Sequence, residues 1–184
     1  KKIGIPEKLI ARLGDSSNFW PADAPKNGPN GPCGPCSEIF FDQGADYPGA
    51  TKQFWADDNS GRYAEIWNLV FTQFERAESG RLIPLKSKNI DTGMGLERLA
   101  CVMQKKQSNF EIDLFEPLIQ GLKRKLTHGK EGHLENLNAI ADHARAAVVS
   151  ISDGAHPSNE GRGYVVRKLI RRAVWHGQRA GLKI

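Results

Sequence analysis

The stretch YAEIWNLVFTQF, residues 63–74, decides the fold. It is rich in aromatic and branched residues, which predicts the strongest strand in the chain. Alternation puts Ile66, Asn68, Val70 and Thr72 on one face, with Trp67, Leu69, Phe71 and Gln73 on the other. The second face is mostly apolar and reads as core. The first mixes an amide with small apolar groups, as a small-molecule pocket does, and as a half-buried face toward water also does. Upstream, EIFFD at residues 38–42 predicts another strand, joined to the first by a polar connection over 43–61. Downstream, Ser79-Gly80 marks a turn and residues 82–85 can pair back.

That return leads into DTGMGLER, residues 91–98, followed by the helical pattern LACVMQ. Two glycines spaced by one residue let backbone approach a ligand, because no Cβ intervenes. A helix start offers unpaired N–H groups and a positive dipole end. Arg98 adds a planar fork for phosphate or carboxylate, and Asp91 a negative charge suited to an ammonium. A glycine-rich turn before a helix, with Arg98 in a surface ion pair, would have the same letters.

The flanks are less regular. Pro6 at a first-turn position predicts a short helix over residues 6–13. Residues 15–37 hold five prolines, which predicts an irregular loop and argues against a helix or a central strand. Trp20 in that loop either stacks on a base or covers the core. After residue 107 the pattern turns helical. Phe115, Leu118, Ile119, Leu122 and Leu126 recur at helical spacing, as do Leu134, Leu137, Ile140, Ala141, Ala144, Val148 and Ile151. In the last helix Val166, Leu169, Ile170, Ala173 and Gly177 form the expected buried stripe. The sequence thus divides near residue 108 into a sheet-containing part and a helical part, an α+β chain.

Composition sets outer bounds. Of 184 residues, 39% are apolar and 26% charged, as in soluble globular proteins. No apolar run reaches the ~18 residues that span a bilayer, so no membrane partner is expected. Three cysteines make no disulfide framework, favouring a reducing compartment. The chain opens Lys-Lys-Ile without Met, which points to a piece of something longer. From residue 161 onward there are seven Lys or Arg and no acid, which points to a polyanionic partner. Cys33 and Cys36 have the spacing of half a zinc site. The five histidines lack paired spacing, so a rigid turn with reduced thiols is the favoured reading and no metal ligand is assigned.

Several motifs together resemble the alanyl-tRNA synthetases, a family of class II aminoacyl-tRNA synthetases. They are Asn18-Phe19-Trp20, GPCGPCSEI at 31–39, EIWNLVF at 65–71, DTGMGLERLA at 91–100 and PSNEGRGYVVRKLIRRAVWHG at 157–177. The resemblance covers nearly the whole chain in the family's order. It implies a partial class II antiparallel sheet over residues 1–107 and the start of a helical tRNA-recognition region over 108–184. It also implies a ligase that activates alanine with ATP and Mg²⁺, then charges alanine tRNA in the cytoplasm or an organellar matrix.

By that resemblance, Asp91 takes the alanine ammonium and Arg98 the γ-phosphate, and both are catalytic. Gly95 lets ATP lie against backbone, Trp20, Ile66, Trp67 and Asn68 border the nucleotide, and Asn68 and Val70 contact alanine. Asn159 is the candidate reader of an acceptor-stem base pair, with Arg162, Arg167 and Arg171 near phosphates. Two departures stand out. The family's first two motifs, with an ATP-binding arginine, are absent, so this piece alone is expected not to support ATP–pyrophosphate exchange. Some relatives add two histidines after the cysteine pair, where this chain has Gln43 and Asp46, so zinc is not expected. A non-catalytic RNA-binding paralogue is the alternative.

Overall fold

Residues 63–74 lie within a long strand, β3 (Tyr63–Arg76), at the inside of an antiparallel sheet. Its neighbours are β2 (Gly31–Asp42) and β4 (Leu82–Met94), and the two-residue β1 (Phe19–Trp20) extends β2's outer edge. The order is β1-β2-β3-β4. This computed structural model describes residues 4–50, 60–126 and 134–182. The chain is α+β, with two compact units, Lys1–Gln107 and Ser108–Ile184.

Three expectations for the first unit need correction. The GPCGPC run is the beginning of β2, an inner strand, and not an irregular loop. Its prolines are accommodated because pairing with β3 slips between Cys33 and Cys36, while β1 covers only Gly34 and Pro35 on the other side. A proline's missing N–H is harmless at a bulge or an open edge. Gly34 is required there, since a Cβ would run into the Phe71 carbonyl oxygen.

Second, the helix expected over residues 6–13 is a single 3₁₀ turn, Glu7–Leu9, after which Ile10 is extended. Leu9, Ile10 and Leu13 are exposed, so no buried face rewards a helix that is too short to persist on propensity.

Third, the more buried face of β3 is the mixed one. Val70 and Thr72 are buried, while Trp67, Leu69, Phe71 and Gln73 are only half-buried. The N-terminal segment causes this. Cys36 pairs with Val70 on that face, and its thiol donates to the Ser17 carbonyl at 3.5 Å. Arg76 donates from Nε to the Ala24 carbonyl at 2.7 Å, anchoring the same segment.

The second unit contains α3 (Glu116–Lys123), α4 (Leu134–Ser152) and α5 (Gly161–Ala180). Ile112, Phe115 and Ile119 are buried beside Leu137, Ile140, Ala141 and Ala147. Each fully buried aliphatic side chain contributes about 1.5–3 kcal/mol. On α5 the buried stripe is narrow and small: Gly163, Val166, Gly177 and Ala180. Small residues let α5 pack closely on α4, which leaves Ile170 and, on α4, Leu134 and Val148 exposed, against expectation.

One titratable contact sits between these helices. The His176 ring donates from Nδ1 to Asn136 Oδ1 at 2.8 Å, with the His143 ring edge-on at 6.1 Å. Burial lowers the His176 pKa below its ordinary value, and His143, Arg172 and Arg179 lower it further. A base depressed in the folded state contributes full stability above its unfolded pKa, about 6.5. That contribution is lost as pH falls below this value, because the unfolded chain then binds the proton more readily. Acidification from pH 7 to 5 should therefore lower the unit's melting midpoint. His176→Gln should remove most of that dependence, which circular dichroism melts will reveal.

Candidate active site and RNA-binding face

The DTGM segment, for which a glycine-rich turn is one of two readings of the sequence, is the last part of β4, and α2 (Leu96–Met103) follows immediately. Gly95 alone turns the chain, with an extended φ of −71° and ψ of 116°. The register opposes Asn68 to Gly93 and Val70 to Asp91. Directly opposed residues share a sheet face, so Asn68, Val70 and Asp91 stand together. Gly93 lies between them as a gap, with no described neighbour within 4 Å of the place its Cβ would take. Its φ is not positive, so backbone conformation does not demand a glycine there.

β2 completes this face with Glu38, opposite Asn68. The Asn68 Nδ2 donates to Glu38 Oε1 at 3.0 Å. Asn68 Oδ1 is buried and has no hydrogen-bond partner among the described residues. An acceptor left in that state costs about 1–3 kcal/mol, and the described residues supply no donor to offset it.

A bulge then brings in Glu65. Ile39 opposes Trp67, but Phe40 opposes Glu65, so Ile66 is the extra residue. The slip rotates Glu65 onto the face of Glu38 and Asn68, where strict alternation had put Ile66. Burial raises the Glu38 pKa, the Glu65 charge raises it further, and Arg98 opposes both. Arg98 lies on the first turn of α2. Its Nη1 donates to the Glu65 carbonyl at 2.9 Å and to Oε2 at 3.1 Å. With both side chains partly solvated, such a pair adds at most about 1 kcal/mol to stability. Its consequence is geometric: the guanidinium is held at the rim of the carboxylate cluster.

Trp20 is not brought beside these residues by strand pairing. It is half-exposed on β1, opposite Gly34, three strand spacings from β4 or about 14 Å. Glu65 is the site residue that sequence reasoning left out, while that reasoning considers Glu38 only as a participant beside the ATP magnesium. Register revealed both, and no local motif encodes a one-residue bulge. Cys33 and Cys36 are buried free thiols, and desolvation raises the pKa of each. Among the described residues no three His, Cys, Asp or Glu side chains form a metal-binding group.

In the helical unit, Asn159 and Arg167 do meet. Arg167 Nη1 donates to Asn159 Oδ1 at 2.6 Å, which leaves the amide Nδ2 directed elsewhere. The loop is pinned from Ser158, whose N–H donates to the Gly163 carbonyl at 3.1 Å. Gly163 must lack a Cβ, which would overlap the His156 carbonyl and Ser158 Oγ. Along the exposed side of α5, Tyr164, Arg167, Lys168, Arg171, Arg172 and Trp175 line one open groove. Arg162 is exposed in the first turn, outside it. Four cations bracketed by two half-exposed aromatic rings fit a polyanion that also offers flat surfaces. No described helix is long and apolar enough to cross a membrane.

Comparison with known proteins identifies the family. Residues 1–184 match the family described as tRNA synthetases class II (A). The alanine–tRNA ligase of Polaromonas naphthalenivorans is 47% identical over 100% of this chain and 21% of the relative. That of Elusimicrobium minutum is 50% identical over 97% of the chain and 20% of the relative. That of Thermotoga maritima is 49% identical over 99% and 21%. The chain thus spans about a fifth of the length of these curated relatives. With a continuous match from its first residue to its last, the chain belongs to the class II tRNA synthetase family.

Proposed function

We propose that this chain forms one wall of an alanyl-adenylate site and a tRNA-binding helical unit in an alanine–tRNA ligase. The observation that carries the reading is the shared face of Asn68, Val70 and Asp91, with a buried Oδ1 that has no partner among the described residues and an open gap at Gly93. An amino acid laid there puts its ammonium near Asp91 and the Asn68 carbonyl oxygen, and its methyl group against Val70. Arg98 and the backbone around Gly95 meet the triphosphate, with Ile66 and Trp67 bordering the nucleotide through their backbone, since Trp67 faces the other side of the sheet. Trp20 belongs to this reading only as an aromatic wall contributed from the far edge.

The chemistry needs little covalent work from protein. The alanine carboxylate attacks the α-phosphorus of MgATP in line, the Pα–O bond to pyrophosphate breaks, and alanyl-adenylate forms. The 3′-terminal ribose hydroxyl of tRNA then attacks the acyl carbon, losing its proton as AMP leaves. Positioning and charge stabilisation carry such steps. Magnesium brought in with ATP would offset the negative charge of the triphosphate.

For the RNA, Asn159 presents its Nδ2 to an acceptor-stem base edge while Arg167 fixes the amide's orientation. The A-form minor groove is wide and shallow enough for so short a side chain. Arg162 and Arg171, with Arg167, lie against phosphates, so affinity should fall steeply with salt.

Alanine-dependent exchange of pyrophosphate into ATP by the whole protein tests the catalytic reading. Serine should support exchange about a hundredfold less efficiently, since a small pocket rejects one added hydroxyl weakly. Tight binding of alanine tRNA without any exchange would instead favour a non-catalytic RNA-binding relative.

A further inference from the structure

We infer that Glu38 is the positioning residue that orients the Asn68 amide, so that its carbonyl oxygen faces the amino-acid ammonium. The inference rests on the proposed alanine site and assigns a device within it. An amide can present either its oxygen or its NH₂ group to a ligand, and the two ends differ little in shape. A carboxylate only accepts hydrogen bonds, so an ionised Glu38 binds the NH₂ end and thereby selects the orientation. The geometry is in place: Nδ2 lies 3.0 Å from Glu38 Oε1, and Oδ1 is buried with no partner among the described residues. Opposed positions on β2 and β3 hold both side chains on one face.

The surroundings bear on how firmly that selection holds. Glu65 reaches the same face through the bulge at Ile66, and Arg98 is fixed to Glu65 by two hydrogen bonds. Burial and then the Glu65 charge raise the Glu38 pKa, and Arg98 offsets part of that rise in favour of the acceptor form. Cys36, two residues back on the same face, is a thiol whose ionisation is disfavoured by burial and then by both carboxylates, with a side-chain interaction with Asn68 acting the other way. The cluster therefore ties the phosphate-facing arginine to the orientation of the amide that receives the ammonium.

Glu38→Gln tests this in the whole protein, because glutamine keeps the length but can donate as well as accept. It no longer distinguishes the two ends of Asn68. The expected result is a rise of about tenfold in the KM for alanine, the loss of one hydrogen bond to a charged group. The KM for ATP should stay within twofold, and the melting midpoint should be unchanged. In an Asn68→Ala background, Glu38→Gln should add no further loss, since both act through one amide. An unchanged alanine KM, or losses that multiply independently in the double variant, would overturn the inference while leaving the ligase reading intact. Parallel rises in both KM values with a lowered midpoint would also overturn it, by showing a merely structural role. Absence of alanine-dependent exchange in the wild-type protein would sink the ligase reading itself.

Discussion

Replacing Asp91 by Asn should lower kcat/KM for alanine in the exchange reaction by a hundredfold to a thousandfold. Asparagine keeps the shape and can still accept a hydrogen bond through Oδ1, so the change isolates the charge. Asp91 lies at the end of β4, opposite Val70 and diagonal to Asn68, and its side chain is exposed. Exposure makes the free carboxylate inexpensive to solvate. Once an amino acid is bound and water excluded, the same charge faces an ammonium at low dielectric, where losing one partner costs about 2–5 kcal/mol. The KM for ATP should remain within threefold, because the proposed triphosphate contact is on α2. Steady-state exchange at varied alanine and ATP separates the two. A loss below tenfold in alanine kcat/KM would show that the ammonium is received elsewhere.

The β3 sequence announced its strand because aromatic and branched residues are dense there, and its alternation correctly placed Asn68 beside Val70. It could not announce the bulge, since adding one residue changes no local composition. Ile66 was therefore put on the ligand face, and Glu65, which occupies it, was overlooked. The GPCGPC run misled for a different reason. Proline and glycine usually end strands, but pairing here slips around Pro35, and Gly34 permits a backbone contact with Phe71 that no other residue allows. Such facts belong to the partner strand and not to the run itself.

The helical unit was more legible, because helical spacing is a local property. Its error, Ile170 as core, came from assuming a broad stripe where Gly163, Gly177 and Ala180 make a narrow one. Asn159 and Arg167 were picked out separately from a resemblance. Their hydrogen bond follows from a turn that Gly163 closes back onto α5.

Arg98→Ala should reduce exchange by a hundredfold or more, chiefly in kcat, and Arg98→Lys should recover little of it. The reason lies in how the guanidinium is used. Only Nη1 contacts Glu65, bonding both its carbonyl and Oε2, so the Nε and Nη2 edge remains outside those contacts and can face phosphate oxygens. A planar fork serves both tasks at once, whereas a lysine ammonium is a point charge that must choose between them. Charge stabilisation of this kind acts on the transition state, where the pyrophosphate acquires negative charge, so removing it lowers kcat more than it raises KM.

A second effect runs through the same cluster. Without Arg98, Glu38 and Glu65 face each other with no cation between them, and Glu38 takes up a proton more readily. A protonated Glu38 can donate, so it no longer holds the Asn68 amide in one orientation. Its folded pKa is raised, so the proton is gained as pH falls and the ionised form returns as pH rises. In Arg98→Ala the residual activity should therefore drop on acidification at a higher pH than in the wild type. Adding Glu38→Gln to Arg98→Ala should abolish that displacement of the pH profile, because the group that titrates is then absent. A profile with the same acidic limb in the wild type and in Arg98→Ala would show that the two carboxylates do not communicate with the arginine.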